Sequence, residues 1–370
     1  MKLSDICIYG KEKIESSVIN KDSYVSTDNM LPDFGGVKNV NSFPVNQKIN
    51  KYEKGDILLS NIRPYFKKMI IANCNGGCST DVLVIKSNKN VVPKFIFYRL
   101  MTKDFFDYVV STSKGTKMPR GDKEAIMNYE LDIPSTIIQN KIVKFLDNIN
   151  AKIVLNNEIN DNLLKFIKEL YIETFKGEQN KKKIKEVVEF SQGVQVPIED
   201  QTEVYEAGLI RFIRIVDLTQ GGKDNIRYIE NKDRGIVDYG DVFMIRYGSP
   251  GILGWNYSGI IANNLFKIVP KTDETTKNYL YCYFNDDEIQ NYIKQNATSS
   301  TMPAINFSLL YDRLIAVPNK EKLIEFDRIV ENIRLKLLEI KKENERLEQL
   351  RDTLLPKLMN GEIDLDKIEI

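Results

Sequence analysis

Residues 116–134, T-K-M-P-R-G-D-K-E-A-I-M-N-Y-E-L-D-I-P, match residues 300–318, S-T-M-P-A-I-N-F-S-L-L-Y-D-R-L-I-A-V-P. Met118 aligns with Met302 and Pro134 with Pro318, at a spacing of 184 residues. Upstream, K-G-D-I-L-L-S at 54–60 matches Y-G-D-V-F-M-I at 239–245 at nearly the same spacing. A spacing that drifts by only a few residues over half of the chain indicates a tandem duplication of about 180 residues.

Each repeat begins with short apolar runs separated by turn residues, which are typical of strands. The runs occupy residues 57–60, 69–72 and 82–85 in the first repeat and residues 209–216, 241–245 and 265–269 in the second. Aromatic stretches at 95–108 and 279–284 follow and predict helices. Each repeat therefore opens with a strand-rich domain of mixed α/β (α+β) class.

Each repeat closes with a long helix whose apolar and amide residues alternate spacings of three and four, the pattern of a coiled-coil seam. The predicted seam consists of Ile142, Leu146, Ile149, Ile153, Asn156, Asn160, Leu163, Ile167 and Leu170 in the first helix, and of Phe326, Val330, Ile333, Leu337, Ile340, Asn344, Leu347, Arg351 and Leu354 in the second. The linker at 176–183 leads directly into the second domain, which favours antiparallel packing with the two domains at opposite ends. Asn160 and Asn344 hold equivalent seam positions, where a buried Asn fixes register.

These features predict four segments. They are a first domain at 1–136, a first helix with its linker at 137–180, a second domain at 181–320, and a second helix with its tail at 321–370.

The composition excludes many kinds of enzyme. The 370 residues include no histidine, so no Ser-His or Cys-His nucleophile and no His-containing metal site can form. The chain also lacks a phosphate-binding G-x-x-x-x-G-K-[ST] loop, a G-x-G-x-x-G motif and the N-P-P-[FY] tetrapeptide of an amino-methyltransferase. The four cysteines are expected to be reduced, with Cys74 and Cys78 on either side of a Gly-Gly turn. No metal site is expected.

The nearly balanced total of 53 Lys and Arg against 52 Asp and Glu hides an uneven distribution. Residues 1–136 carry 20 basic against 15 acidic residues, whereas residues 321–370 carry 10 against 13. No segment is apolar enough to span a membrane, and a cytoplasmic location is expected.

Polar, donor-rich residues lie in two loops of each domain, and such side chains can contact phosphates and base edges. Arg63 and Arg246 are expected to hold nearly equivalent places after the Gly-Asp strands. The candidate contact residues are Asn61, Arg63, Tyr65, Lys67, Lys68, Lys114, Thr116, Lys117 and Arg120 in the first domain, and Arg246, Tyr247, Ser249, Thr298, Ser299, Ser300 and Thr301 in the second.

The duplicated order of Gly-Asp strand, Met-Pro loop and Pro-initiated long helix, together with L-L-P-K-L-M-N-G-E-I at 354–363, resembles the specificity subunits of type I restriction–modification systems. The resemblance covers essentially the whole chain. The segment Y-V-S-T-D-N-M-L-P at 24–32 and the segment F-I-R-I-V-D-L at 212–218 are similar to two different patterns of that family, which implies an asymmetric DNA target.

The resemblance implies two target-recognition domains, each reading one half of a split double-stranded DNA site. It also implies antiparallel spacer helices along which two modification subunits dock. Those partners would methylate adenine at N6 with S-adenosylmethionine, and a restriction subunit, where a system has one, would cleave DNA with ATP and Mg²⁺. The chain itself would hold no cofactor and would not be an enzyme. The alternative left open by the sequence is a non-catalytic adaptor that binds proteins through two domains on a coiled coil.

Overall fold

A computed structural model describes residues 1–38, 40, 43–88, 90–175, 177–219, 226–297 and 303–363. The chain divides into two compact units, and each unit takes residues from both repeats. Unit 1 comprises Met1–Val154 and Asn344–Ile370, and unit 2 comprises Leu155–Glu343. The predicted four-segment boundaries stay a prediction, because this division groups each domain with parts of both long helices.

In the described part of the first repeat there are eight strands and four α-helices. The strands are β1 (Cys7–Tyr9), β2 (Lys13–Glu15), β3 (Tyr24–Val25), β4 (Lys48–Tyr52), β5 (Ile57–Ser60), β6 (Met69–Ile71), β7 (Gly76–Cys78) and β8 (Val82–Ser87). The helices are α1 (Pro93–Leu100), α2 (Lys103–Ser111), α3 (Lys123–Asn128) and the long α4 (Thr136–Phe175).

Ten strands and six helices are described in the second repeat. The strands are β9 (Lys181–Lys183), β10 (Val188–Gln192), β11 (Ile210–Ile213), β12 (Arg227–Ile229), β13 (Ile236–Val237), β14 (Val242–Ile245), β15 (Leu253–Gly254), β16 (Gly259–Ile261), β17 (Leu265–Pro270) and β18 (Leu314–Ala316). The helices are α5 (Ile184–Val187), α6 (Ile215–Thr219), α7 (Lys277–Asn285), α8 (Asp287–Asn296), α9 (Phe307–Tyr311) and the long α10 (Lys320–Met359). Strands and helices thus follow the predicted order.

One antiparallel sheet is the same in both units. Its order is β1-β8-β5-β6 in unit 1 and β10-β17-β14-β15 in unit 2. The central strands β5 and β14 are buried along their whole length because helices cover one face of the sheet and residues of a second sheet cover the other. They correspond to the predicted runs I-L-L-S and D-V-F-M-I, which are apolar without alternation, as buried strands are.

A second sheet contains the same three strands in both units but extends at opposite edges. The shared orders are β4-β7-β3 in unit 1 and β13-β16-β11 in unit 2. In both, the outer strands β3 and β11 pair in parallel with the middle strand. Unit 1 then adds β2 beside β4, whereas unit 2 adds β12 beside β11.

The predicted Gly-Gly turn between Cys74 and Cys78 is wrong. Gly76 and Gly77 belong to β7, the middle strand of a sheet. Glycine is required there by packing rather than by a turn, because a Cβ on Gly76 would lie 2.2 Å from the carbonyl oxygen of Ser23 and one on Gly77 would lie 2.4 Å from Ile49. All four cysteines are unpaired thiols, and only Cys74 is exposed.

The long helices pack antiparallel within each unit. In unit 1, Arg351 of α10 donates to the amide oxygen of Asn150 of α4 at 3.3 Å. In unit 2, Asn156 donates to Glu343 at 2.8 Å, and the ring of Phe175 lies 4.9 Å from that of Phe326. Along these contacts the residue numbers on α10 decrease as those on α4 increase, so the two helices run in opposite directions. The predicted antiparallel coiled coil is confirmed.

Every predicted seam residue is at least half-buried. The buried members are Ile142, Leu146, Ile149, Asn156, Ile167, Phe326, Val330, Leu337 and Ile340, and the half-buried members are Ile153, Asn160, Leu163, Leu170, Ile333, Asn344, Leu347, Arg351 and Leu354. The seam predicted from the heptad pattern therefore matches the face that packs. The side-chain carbonyl oxygen of Asn160 is buried and accepts no hydrogen bond from the described residues.

Each unit has its own large core, in which its helices cover the antiparallel sheet. Phe95, Phe105 and Phe106 lie in the core of unit 1 together with Leu146 of α4 and Leu355 of α10. The core of unit 2 likewise combines its sheet and helices with residues of both α4 and α10. A fully buried side chain of this size contributes about 1.5–3 kcal/mol relative to an exposed one. The long helices are thus part of the folded cores.

No helix in the described part of the chain is both long and apolar enough to cross a membrane.

Candidate nucleic-acid interface

The candidate interface in unit 1 consists of two hydrogen-bonded loops. The hairpin loop (residues 61–68) joins β5 to β6, and the Met-Pro loop (residues 113–121) joins α2 to α3. The amide of Arg63 donates to the carbonyl oxygen of Pro119 at 2.8 Å, and the amide of Gly121 donates to that of Asn61 at 3.1 Å. The two loops predicted from sequence therefore form one surface.

Unit 2 pairs its loops with the same hydrogen bonds. Its hairpin loop (residues 246–252) joins β14 to β15, and residues 303–305 are the described end of its Met-Pro loop. The amide of Gly248 donates to the carbonyl oxygen of Pro303 at 2.8 Å, and the amide of Ile305 donates to that of Arg246 at 3.1 Å. Pro119 and Pro303 are the prolines aligned by the sequence repeat, so the two loop pairs are equivalent.

These hydrogen bonds correct the expected equivalence of Arg63 and Arg246. Arg246 makes the backbone contact that Asn61 makes in unit 1, and Gly248 makes the contact of Arg63. Backbone geometry agrees, because Arg63 and Gly248 both have a positive φ, of 50° and 81°. The hairpin loop of unit 2 is one residue shorter, so sequence alone does not fix where the gap falls.

Two of the predicted contact lysines in unit 1 contact a neighbouring segment of the chain. The ammonium of Lys68 donates to the carbonyl oxygen of Thr27 at 2.7 Å, and burial lowers the pKa of this lysine. The ammonium of Lys67 lies 3.8 Å from the carboxylate of Asp33. Both lysines therefore tie the hairpin loop to residues 26–38 rather than presenting free charge.

The remaining candidates in unit 1 are accessible to different degrees. Asn61 and Arg63 are half-buried, and the Nε of Arg63 is buried without a hydrogen-bond partner among the described residues. Tyr65 is exposed, with its ring 4.7 Å from that of Phe66.

The Met-Pro loop of unit 1 presents four exposed candidates, Lys114, Thr116, Lys117 and Arg120. A backbone ladder between Lys114 and Arg120, with hydrogen bonds of 2.9 Å in both directions, closes this loop. The side chain of Lys114 forms an ion pair with Asp122, which raises the pKa of the lysine, and Arg120 lies 3.2 Å from Asp81. Both cations are held by exposed pairs of the kind that water and salt readily break.

In unit 2, the structure describes three of the predicted residues. Arg246, Tyr247 and Ser249 are half-buried, and the guanidinium of Arg246 lies 4.8 Å from the ring centre of Tyr247. The other four candidates, Thr298, Ser299, Ser300 and Thr301, lie outside the described residues.

The sequence did not identify a further segment that supports the loops. In unit 1, the amides of Asp33 and Phe34 donate to the carbonyl oxygens of Phe66 and Lys67 at 3.0 and 3.2 Å. Asp33 and Phe34 both have positive φ, which is uncommon for residues other than glycine. Aspartate is enriched at positive φ but phenylalanine is not, so the tertiary contacts rather than the sequence identify the segment.

Buried side chains hold the turn that follows the parallel-paired strand, β3 or β11, in both units. In unit 1 the amide of Ser26 donates to the side chain of Asn29 at 2.6 Å, and in unit 2 that of Arg214 donates to Asp217 at 2.8 Å. Asp217 also accepts from Arg211 at 3.2 Å. The segments 24–32 and 212–218, which are similar to different family patterns, thus form equivalent capped turns.

An ion cluster anchors the Gly-Asp turn of unit 2. The carboxylate of Asp241 lies 2.6 Å from both Lys267 and Lys277. Burial alone would raise the pKa of Asp241, but the hydrogen bonds from the two lysines and from the amide of Asp238 outweigh it, so the pKa lies below its ordinary value. In unit 1, Asp56 makes the corresponding contact with Lys86 at 3.1 Å.

No cluster of three or more potential metal ligands occurs in the parts of the chain that the structure covers.

Comparison with known proteins assigns the chain to a family. The model of the type I restriction modification DNA specificity domain matches residues 1–165 and again residues 177–349. The chain belongs to this family. This specificity-domain protein carries two copies of the domain, and the two matched ranges follow the two sequence repeats. Family membership does not favour the adaptor alternative.

The chain is similar along most of its length to two curated type I restriction enzyme specificity subunits. One is MjaIX of Methanocaldococcus jannaschii, with 23% identity over 372 aligned positions that cover 90% of this chain and 83% of the relative. The other is HindI of Haemophilus influenzae, with 23% identity over 417 positions that cover 88% and 90%.

Among solved structures, the type I restriction–modification S subunit from M. genitalium has a similar fold. The TM-score is 0.55 at 18% identity, with 97% of this chain and 95% of the other covered. The likeness extends over both repeats, which supports the tandem architecture.

Proposed function

We propose that this specificity-domain protein is the DNA-recognition subunit of a type I restriction–modification complex and reads a split, asymmetric target in double-stranded DNA. The observation that carries the proposal is the pair of equivalent loop surfaces, each built from a hairpin loop and a Met-Pro loop joined by the same backbone hydrogen bonds. Each surface would read one half-site.

The two surfaces differ in chemistry although their backbones agree, which supports an asymmetric target. Asn61 corresponds to Arg246, Arg63 to Gly248 and Arg120 to Ala304. Because the side chains at these equivalent positions differ, the two surfaces would select different bases. Each good bidentate contact contributes about 1–3 kcal/mol to discrimination.

We further propose that the chemistry belongs to partner subunits. Two modification subunits would dock along the antiparallel helices and methylate adenine at N6 with S-adenosylmethionine. A restriction subunit, where present, would cleave with ATP and Mg²⁺. This chain would contribute recognition and no catalytic group or cofactor, and its paired helices would set the unread spacer between the half-sites.

Sequencing of N6-methyladenine in the host genome tests the proposal. Deletion of the gene is expected to abolish methylation at one split motif, and expression of the chain from a plasmid is expected to restore the same motif. Methylation that persists in the deletion strain, or a motif without an unread spacer, would contradict the proposal. Loss of a protein complex with no change in methylation would instead support the adaptor alternative.

A further inference from the structure

The backbone of Arg246 is hydrogen-bonded through both its amide and its carbonyl oxygen. Its amide donates to the carbonyl oxygen of Asn264 at 2.8 Å, and its own carbonyl oxygen accepts from the amide of Ile305 at 3.1 Å. Ile305 is buried. Arg246 therefore stands where the hairpin loop meets both the sheet and the Met-Pro loop of unit 2.

The side chain of Arg246 is held between two aromatic rings. Its guanidinium carbon lies 4.8 Å from the ring centre of Tyr247 and 4.9 Å from that of Phe307. The Phe307 ring packs in turn on Phe266 at 4.8 Å and Phe190 at 5.8 Å, in the core of unit 2. Contacts of a cation with aromatic faces favour this placement. The guanidinium is consequently ordered before any ligand arrives.

The guanidinium forms no hydrogen bond with a described residue, and because its Nε is buried, the donors that a ligand could reach are its two Nη groups. Other ring-stacked arginines of unit 2 are neutralised. Arg313 lies 4.5 Å from the ring of Tyr292 but donates to Glu288 at 2.7 Å, and Arg211 lies 5.7 Å from that of Tyr257 but donates to Asp217 at 3.2 Å. Arg246 thus combines an ordered guanidinium with unused donors.

We propose that Arg246 reads a guanine in the second half-site, by donating two hydrogen bonds to O6 and N7 in the major groove. This inference rests on the proposed function. A planar fork held in one orientation matches the O6 and N7 edge of guanine, whereas the same fork on a phosphate would carry no base preference and would leave the recognised motif unchanged in a variant.

The equivalent residue in unit 1 is not arranged in the same way. Asn61 has its side-chain carbonyl oxygen buried beside Gly121, where an added Cβ would lie 2.9 Å away, and this oxygen accepts no hydrogen bond from the described residues. The first half-site would therefore be read by other residues. The proposed guanine contact belongs to the second half-site alone.

Methylome sequencing with an Arg246→Gln variant tests the inference. The wild-type motif should contain a guanine–cytosine pair in one half-site that R246Q no longer requires, while the other half-site stays unchanged. Arg313→Gln is the matched control and should leave every specified base in place. An unchanged motif in R246Q, or a wild-type motif without guanine in either strand of the affected half-site, would overturn the inference.

A binding measurement keeps the inference testable if R246Q abolishes methylation. Each guanine of the second half-site is replaced in turn by 7-deazaguanine, which lacks N7, and affinity is measured for the wild-type complex with its modification subunits and for Arg246→Met, whose side chain has no donor. One replacement should weaken wild-type binding by about 5- to 150-fold and R246M binding by much less. Equal losses for both proteins at every position would overturn the guanine contact.

The outcomes also separate this inference from the proposed function. A split motif that depends on the gene but is unaltered by R246Q refutes only the role of Arg246. Absence of any gene-dependent split motif refutes the proposed function itself.

Discussion

Two residues of the hairpin loop in unit 1 adopt the left-handed conformation, which is unfavourable for side chains with a Cβ. Arg63 and Lys67 both have a φ of 50°, and unit 2 places Gly248 and Gly251 at the corresponding positions, with φ of 81° and 99°. A residue other than glycine in this region costs about 1–2 kcal/mol. Unit 1 therefore has two basic residues at positions where the backbone favours glycine. One of them, Lys67, forms an ion pair with Asp33.

Substitution of Arg63 should separate stability from DNA binding. Arg63→Gly is expected to change the free energy of unfolding by less than about 1 kcal/mol, because relief of the strained backbone offsets the lost side chain. Its affinity for the target duplex should fall at least about 5-fold. The measurements are calorimetric unfolding and duplex titration of the assembled complex.

Arg63→Ala is the matched variant, since it removes the same side chain but keeps a Cβ at positive φ. It should be less stable than R63G by about 1 kcal/mol. An R63G protein that is less stable than R63A would contradict the backbone argument. Unaltered binding by both variants would remove Arg63 from the interface.

Sequence identified these loops but not the correspondence between their residues. The repeat aligns Pro119 with Pro303 because both prolines follow a methionine in otherwise similar segments. The repeat does not show where the one-residue gap falls when the two hairpin loops are aligned. Residue type suggests that Arg63 corresponds to Arg246, whereas the hydrogen bonds show that Asn61 does. The contact that Lys68 makes was also hidden, because its acceptor, the carbonyl oxygen of Thr27, is more than forty positions earlier in the chain.

At the level of elements, an ion cluster joins three parts of unit 2. Asp241 precedes β14, Lys267 lies on β17, and Lys277 begins α7. The side chain of Asp241 is only 5% exposed, so its charge depends on both lysines. Trp255, the single tryptophan, lies nearby, stacked at 4.0 Å on Tyr281, and its carbonyl oxygen accepts from the amide of Gly240. Tryptophan fluorescence therefore reports the unfolding of this unit.

The lowered pKa of Asp241 predicts how its contribution depends on pH. A carboxyl whose pKa is lower in the folded than in the unfolded protein stabilises the fold above its unfolded pKa, about 3.9, and loses that contribution as pH falls through the folded value. Asp241→Asn should lower the free energy of unfolding of unit 2 by about 1.5–3 kcal/mol at pH 7. The difference from wild type should shrink as the pH falls below about 4.

Urea unfolding followed by tryptophan fluorescence at several pH values measures this difference. Glu339→Gln, which removes the exposed ion pair with Lys336, is the control and should change stability by less than about 1 kcal/mol. The difference in free energy of unfolding between D241N and wild type could instead stay constant from pH 7 to pH 3. That result would show that the charge of Asp241 is not what stabilises the turn.

Elements with a strong sequence period were predictable, and those defined by packing were not. The alternation of three and four residues identified both long helices and their buried face, since a coiled-coil seam is a local pattern. Strand β7 was misassigned because Gly76 and Gly77 resemble a turn. Their place in the sheet follows from the close approach of Ser23 and Ile49, which no local pattern encodes.

At the level of the whole molecule, each compact unit is assembled from both repeats. The core of unit 1 includes Leu355, Leu358 and Met359, which the second repeat supplies, and unit 2 includes Ile167 and Phe175 from the first. The long helices are thus structural parts of both units, whereas the hairpin and Met-Pro loops of each unit come from a single repeat. Recognition of each half-site should accordingly be transferable with one domain if the helices are kept.

Exchange of residues 1–136 for the corresponding domain of a relative with a different target tests this central claim most directly. Residues 137–370 stay unchanged, so both long helices are preserved and the new domain must pack on them. Sequencing of N6-methyladenine in a host carrying the chimera should reveal a split motif in which one half-site has become that of the relative, while the other half-site and the spacer are those of the parent. A motif in which both half-sites change, or neither does, would contradict the assignment of one half-site to each domain.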